Sequence, residues 1–558
     1  MIVGSPWLYW LTERGHGFHQ YAIVLSFALI YLIIYFLSIS KIRWQAADLV
    51  LAVIWLLQII WIHEGVDAKS ILAELSWFPV YYVCGIIFSA DKDFRIVRFT
   101  GGLILASCIL QCVIALFQVI HLIPANHSVF SFTGAFYNPG PLGGYVAVGA
   151  VVTAVFWMQV RKRISKFGFA ILFLILVSGI IMSRSRAAFM SLFAGLATIV
   201  VFKTRIWGFV IALGAMAVIM GLLLYAVYPA SADARILIWK VSCRIIGKEP
   251  ILGHGTGSFA SQYMWAQADY FETETHTFNE RILADDNIHP FNEGIRFLCE
   301  YGIVGSVIVL CALIWLATCF LRSRTEEKKS LVSVWLTFLV FGMFSYPIDV
   351  MPLNVLSAVL LSSIFSPARN HLMMRLPLRM AIAIVSCLLL FGIALYSSFL
   401  LRVEEDVRTT LCQWNPALDN TLRQEYEYFR HDITSVDRFA ASLSLRGLYE
   451  EALPAREYSA RMLPTGHKLM SLGECYLEVG DSLQAEKLFC RASNMLPAYV
   501  RPRYLCFKLY VESSKTDEAV NTAIDIVNQP IKKETSQTRK MVDECRLFLE
   551  EYAPGMGK

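Results

Sequence analysis

Apolar runs long enough to cross a lipid bilayer recur along this chain, and they restrict its fold more than any other feature. They fall at 18–39, 46–62, 71–90, 96–121, 141–159, 167–183, 186–202, 206–228, 302–321, 331–346, 351–365 and 380–401. A helix of roughly 20 residues rises about 30 Å, the thickness of the hydrocarbon, and it satisfies its own backbone polar groups where no water can do so. The runs therefore predict an all-α polytopic protein of about twelve transmembrane helices, some of them short. Composition agrees, since 56% of the 558 residues are hydrophobic and only 17% are charged, whereas soluble domains carry about a quarter. Mean hydropathy is +0.53. The spans divide into an N-terminal bundle over 1–228, with about eight, and a second over 302–401, with about four, leaving a long loop at 229–301. From Arg402 onward charges become dense, which marks a polar domain over 402–558.

Basic residues orient the spans. Lys41 and Arg43, Lys92 to Arg98, Arg161 to Lys166, Lys203 and Arg205, Arg322 to Lys329, and Arg369 to Arg379 all fall in alternate loops. The short loops opposite hold Lys69, Arg184 and Arg186. The positive-inside rule makes the first set cytoplasmic, so the N-terminus, the 229–301 loop and the 402–558 domain are expected outside. The net charge of +5 is thereby a record of topology, spread over short loops instead of a basic patch that would hold nucleic acid. Thirteen cysteines lie mostly in apolar spans, with no CxxC or Cys/His spacing, so neither a metal site nor a disulfide framework is expected. No cleaved leader is expected either, because 18–39 is itself long enough to span.

The polar domain repeats itself. Gly447 with Ala452, Gly480 with Ala485, and Ser514 with Ala519 recur, and Leu463-Pro464 and Leu496-Pro497 end successive units. A period of about 33 residues with these small residues and a closing proline fits tetratricopeptide-like helical hairpins. Two full units and one degenerate one are read, after a helical connector at 402–437.

Several residues carry potential chemistry. Arg184 and Arg186 stand between two spans on the side that otherwise avoids basic residues. They suit a clamp for a lipid-linked phosphate or pyrophosphate, which guanidinium forks bind in bidentate fashion. The alternatives are snorkelling to headgroups or an ion pair with Asp349. In the loop, Asp233 to Lys240 reads as a surface helix with Ile236, Trp239 and Ile246 on the bilayer and Arg235 projecting. Pro250 to Gly257, which includes His254, lacks the flanking strand and Gly-Lys-Ser/Thr of a nucleotide loop and reads as a turn bringing backbone close to a ligand. The acids Asp269, Glu272, Glu274, Glu280, Asp285 and Asp286 read as a solvated face, or else as an acceptor or ion site. Pro290 suits the first helical position, which puts His289 at the N-cap. There the helix dipole favours the neutral imidazole that a general base needs.

Together these motifs resemble the O-antigen ligases, a family grouped with O-antigen polymerases and bacterial protein O-oligosaccharyltransferases. The likeness runs from about Phe132 to Gly305. It comprises Thr133 to Pro139 with Asn138, the Ser183-Arg184-Ser185-Arg186 pair, Arg235 with Trp239, Pro250 to Phe259, and His289 leading through Asn292 to Glu300, Gly302 and Gly305. The family more often has His-Asn directly, whereas Pro290 and Phe291 intervene here.

The resemblance implies a glycosyltransferase of the bacterial inner membrane that needs neither nucleotide sugar nor cofactor. It would move a glycan from undecaprenyl pyrophosphate to an acceptor at the periplasmic face. That acceptor is lipid A-core, as in lipopolysaccharide biosynthesis, a protein Ser or Thr, as in O-glycosylation, or a growing polysaccharide. His289 would be the catalytic base, Arg184, Arg186 and Arg235 the pyrophosphate-binding groups, and Asn138, His254 and Asn292 supporting residues. The tetratricopeptide-like domain, on the same side, favours a macromolecular acceptor or partner. A non-catalytic scaffold for polysaccharide assembly would not need the external cations and histidine, and a lipid-linked glycan transporter would show broken helices with charges near mid-span.

Overall fold

In the computed structural model, residues 4–11, 17–62, 66–90, 94–204, 214, 229–273, 276–321, 326–365, 370–413 and 415–553 are described. The architecture is all-α, as expected. The first bundle comprises α1 (Gly4–Leu11), α2 (Gly17–Ser38), α3 (Ala46–Ile60), α4 (Ala68–Ser89), α5 (Arg95–Val119), α6 (Pro139–Gln159), α7 (Arg163–Ser183) and α8 (Arg186–Thr204). The loop folds into α9 (Pro229–Lys248), α10 (Phe259–Thr273) and α11 (Phe278–Leu283). The second bundle has α12 (Glu293–Leu321), α13 (Glu326–Gly342), α14 (Met351–Phe365) and α15 (Leu376–Cys412).

Every apolar run is helical except 206–228, which, residue 214 apart, lies outside the described residues. Seven described helices are long and apolar enough to span a membrane, and α3, α14 and much of α8 are shorter apolar helices. The change from apolar to charged sequence at Arg402 falls inside one continuous helix, α15, so the composition boundary is no break in the backbone.

One element escapes hydropathy altogether. Lys41–Trp44 (β1) and Asn370–Met373 (β2) form a two-stranded antiparallel ribbon, Lys41 opposite Met373. It ties two of the basic loops together, and Arg98 reaches Glu327 at 3.9 Å between two others. The 229–301 segment is at the other end, where Thr256 donates its N–H to the Trp61 carbonyl.

The remainder is helical hairpins: α16 (Pro416–Phe429), α17 (Ile433–Leu445), α18 (Tyr449–Met462), α19 (Gly466–Glu478), α20 (Ser482–Met495), α21 (Val500–Glu512), α22 (Thr516–Asn528) and α23 (Ser536–Tyr552). Gly447, Gly480 and Ser514 sit in successive hairpin turns with positive φ, the conformation that lets a helix stop within one residue. Ala452, Ala485 and Ala519 are buried one turn into the second helix of each hairpin, where only a small side chain fits. The first hairpin that carries one of these turns starts at Ile433, within the stretch expected to be connector.

These hairpins are not a detached appendage. Leu469, Met470, Met495 and Leu496 share one apolar core with Leu237, Val241, Tyr263 and Met264 of α9 and α10. Phe429, Val436 and Phe439 likewise pack with α2, α4 and α15.

Candidate active site

The frame of the site is a break in α12. Gly302 interrupts the helix with φ 59° and ψ −163°, and the turn at Pro250–Gly255 fills the gap. Ile303 and Val304 donate their N–H groups to the carbonyls of Pro250 and Ile251, while His254 and Gly255 donate to those of Cys299 and Glu300. The backbones approach so closely that a Cβ on Gly253 would stand 2.4 Å from the Gly302 nitrogen. The glycine-rich turn thus brings backbone close to a helix, and Gly257 at its end lines the cavity beside His289. His254 belongs to the same lock, its Nε2 2.9 Å from the Ile245 carbonyl.

His289 follows in the extended stretch after α11, and it is not an N-cap. Phe291 takes a left-handed φ of 53°, so the helix begins only at Glu293. Asn292 caps it, its Oδ1 accepting from the Ile295 N–H at 3.1 Å. The ring of His289 is fixed from two sides instead. Nδ1 lies 2.8 Å from Asp349 Oδ2, and the imidazole stacks on Tyr346 with centroids 4.1 Å apart and planes 3° from parallel. A carboxylate only accepts, so Nδ1 is the donor in this bond and Nε2 is left for another partner.

Asp349 is held as the anion. Burial pushes its carboxyl up, but the Arg296 guanidinium and then the His289 hydrogen bond outweigh burial and hold it well below the usual carboxylate range. Arg296 Nη1 is 3.0 Å from Asp349 Oδ1. The same guanidinium reaches Glu74 at 3.1 Å, Glu300 at 3.2 Å and Glu293 at 3.7 Å, so one buried cation organises four acids from three parts of the chain.

Arg235 lies on the other side of Phe291, its guanidinium 5.4 Å from the ring centroid. Burial first, and then the charge of Arg186, lower it to about 10, which leaves it cationic at neutral pH. Arg186 opens α8 within electrostatic reach of Arg235 and Asp233. Its Nη2 is buried with no hydrogen-bond partner among the described residues. A buried donor left unmade costs about 1–3 kcal/mol, so an anion here would be stabilised by a group already desolvated.

Arg184 ends α7 in a left-handed conformation and lines a separate groove with Phe130, Ser131, Phe132 and Pro139. Asn138 caps α6 next to that groove, accepting from the Gly140 N–H at 2.9 Å. The structure therefore brings Arg186, Arg235 and His289 into one neighbourhood and leaves Arg184 and Asn138 at its flank. His254 and Asn292 support it through the backbone.

Two expectations need correction. Of the apolar face of α9, Ile236 is exposed but Trp239 and Ile246 are not free to lie on a bilayer. Trp239 and Ile246 pack into the core shared with the hairpins, and Trp239 Nε1 donates to the Pro290 carbonyl at 3.0 Å, because that face has a protein partner hydropathy cannot see. The acidic stretch is not a free solvated face either. Asp269 and Glu272 pair with Arg491, Asp285 pairs with Lys532 at 2.8 Å, and Asp286 accepts from the Gly466 N–H at 2.8 Å. Glu274 lies outside the described residues.

Sequence reasoning also missed the roles of Asp349, Arg296, Glu74 and Tyr346. The available signal was the charge of Glu74 inside an apolar run and of Asp349 between two, positions where an ionised group is costly unless paired. A cavity of about 210 Å³ opens beside these groups, lined by His289, Asp349, Arg296, Lys69, Asp67 and Asp432.

Fold and site define a class: a multi-pass helical membrane protein whose extramembrane loop carries a carboxylate-oriented histidine beside partly buried arginines. Residues 127–310 match the family model described as O-Antigen ligase. A Rickettsia conorii protein named "putative polysaccharide ligase" is 26% identical over 125 residues, which is 22% of this chain and 29% of that protein. Both findings support the O-antigen ligase family, as the sequence motifs implied. The matched segment holds Arg184, Arg186, Arg235 and His289, while Asp349 and Glu74 lie outside it.

Proposed function

We propose that the protein transfers a glycan from undecaprenyl pyrophosphate to an acceptor hydroxyl at the periplasmic face of the bacterial inner membrane. One observation carries this reading: a histidine whose Nδ1 is held by an anionic Asp349 lies beside Arg235 and the Nη2 of Arg186, which is buried without a hydrogen-bond partner among the described residues. The acceptor hydroxyl gives its proton to His289 Nε2 as its oxygen attacks the anomeric carbon. The bond from that carbon to the pyrophosphate breaks, and the leaving group departs with the electron pair. Arg186 and Arg235 offset the developing charge, and Arg184 extends the cationic lining toward the lipid. Attack opposite the leaving group inverts the anomeric centre. The 229–301 loop and the hairpins lie in the periplasm, with the basic loops in the cytoplasm. The acceptor is lipid A-core, a protein Ser or Thr, or a growing polysaccharide.

The test is to incubate purified protein with an undecaprenyl-pyrophosphate glycan and each acceptor. Release of free undecaprenyl pyrophosphate with a glycosylated acceptor is expected. Donor that stays intact with every acceptor would overturn the proposal.

A further inference from the structure

The stretch that delivers His289, residues 284–292, contains no helix or strand, so its backbone polar groups need other partners. Most come from within the segment and from α9 and α10, but its first residues are gripped by the C-terminal hairpins. Lys532 Nζ donates to the carbonyls of Ala284 at 2.9 Å and Leu283 at 3.3 Å, and it pairs with the Asp285 carboxylate at 2.8 Å. All three ammonium donors are thereby engaged on consecutive residues. Lys532 is itself placed by its own N–H, which donates to the Ala498 carbonyl at 3.0 Å, and by the Tyr499 ring beneath its ammonium. The Tyr499 hydroxyl donates to Asp285 Oδ1 at 3.0 Å. One residue on, the Gly466 N–H holds Asp286, and Gln267 Nε2 bridges the Asp285 and Met495 carbonyls. The Asn287 amide then donates to the His289 carbonyl at 2.8 Å.

We propose that Lys532, with the Gly466 turn, is a positioning group for His289, so that the hairpins mould the catalytic segment. This rests on the transfer reading, which gives His289 its role. Docking of the hairpins has separate sources, namely the shared apolar core around Leu469, Met495 and Leu496 and the pairing of Arg491 with Asp269 and Glu272. Removing Lys532 therefore loosens the segment without detaching the hairpins. A catalytic group displaced by about 1 Å can cost roughly 10²-fold in rate.

The experiment is hydrogen–deuterium exchange on the full-length protein in detergent, alongside release of undecaprenyl pyrophosphate. Lys532→Met should speed exchange across 283–292 while protection of α19 and α20 is kept. It should lower kcat about 10²-fold with little change in donor KM. Lys532→Arg, which keeps a cation and its donors, should retain most of both. Arg546→Ala, which removes a pair with Asp543 on its own helix, should change neither. Unchanged exchange over 283–292, loss of protection throughout 466–495, or a raised acceptor KM at unchanged kcat would each overturn the proposal. Should the wild type release no undecaprenyl pyrophosphate while the exchange contrast holds, the transfer reading falls and the moulding of the segment stands.

Discussion

His289 and Asp349 are separated by 60 residues in sequence, and 2.8 Å separates Nδ1 of one from Oδ2 of the other. Such a pair selects the tautomer that leaves Nε2 basic, and it predicts two graded lesions. His289→Gln keeps a hydrogen-bonding amide but cannot take a proton, so turnover should fall about 10²- to 10⁴-fold, or about 3–5 kcal/mol of barrier. Asp349→Asn should also cost about 10²-fold or more, because the amide no longer fixes the tautomer. Donor binding should be largely kept in both, and transfer rate beside donor affinity measures the split. A Gln variant with most of its activity would assign His289 to binding.

The pH profile separates the two groups. Folding holds the Asp349 carboxyl below its ordinary range, so its pairing is complete above about pH 4 and is lost only as pH falls below the folded value. A loss of rate between about pH 8 and 5 that is absent from the His289→Gln variant then belongs to the imidazole, and one that persists there belongs to the acids around Arg296. A flat rate across that window would exclude His289 as the base.

Arg235→Lys should impair transfer strongly at unchanged expression. Lysine keeps the charge but loses both the fork that grips two phosphate oxygens and the planar contact with Phe291. Arg186→Lys should do the same, whereas Arg184→Lys, on the flanking groove, should be milder. Equal turnover in all three and the wild type would reduce them to anchors.

Arg296→Met should destabilise the protein by about 3–5 kcal/mol, since it leaves Glu74, Glu293, Glu300 and Asp349 facing one another without their shared cation. The loss should shrink on acidification, as protonation of the stranded acids relieves their repulsion. Thermal unfolding at pH 5 and pH 8 measures it, and an identical melting temperature to wild type at both would show that the cluster holds nothing together.

Topology is open to native thiols. Cys243 in α9 and Cys490 in α20 are exposed, and a hydrogen bond with Cys506 holds the Cys490 thiol below its usual range. Both should react with a membrane-impermeant maleimide in intact cells whose outer membrane has been made permeable. Labelling that requires lysis would invert the orientation and remove the proposed site from the periplasm.

Much of the fold was legible because hydropathy is a property of one window of sequence: each described apolar run is a helix. What depends on distant partners was not. Gly253 and Gly302 read as separate loop and helix residues, yet their backbones interlock. His289 was legible as a candidate base, but for the wrong local reason. Pro290 suggested a helix start, whereas the left-handed Phe291 delays it and Asn292 takes the cap. Asp269, Glu272 and Asp285 looked solvated because Arg491 and Lys532, which pair with them, lie more than 200 residues away.

The contacts that shape the start of the His289 segment cross long stretches of sequence: 180 residues from Asp286 to Gly466 and 248 from Ala284 to Lys532. Loops of that length close late, because their entropy is spent before the contacts return anything. Individual helices and each hairpin can form from local contacts first, so the segment that carries the base is moulded only once the hairpins have docked on it. A folding intermediate of this protein is therefore a chain already seated in the bilayer and still unable to spend its donor.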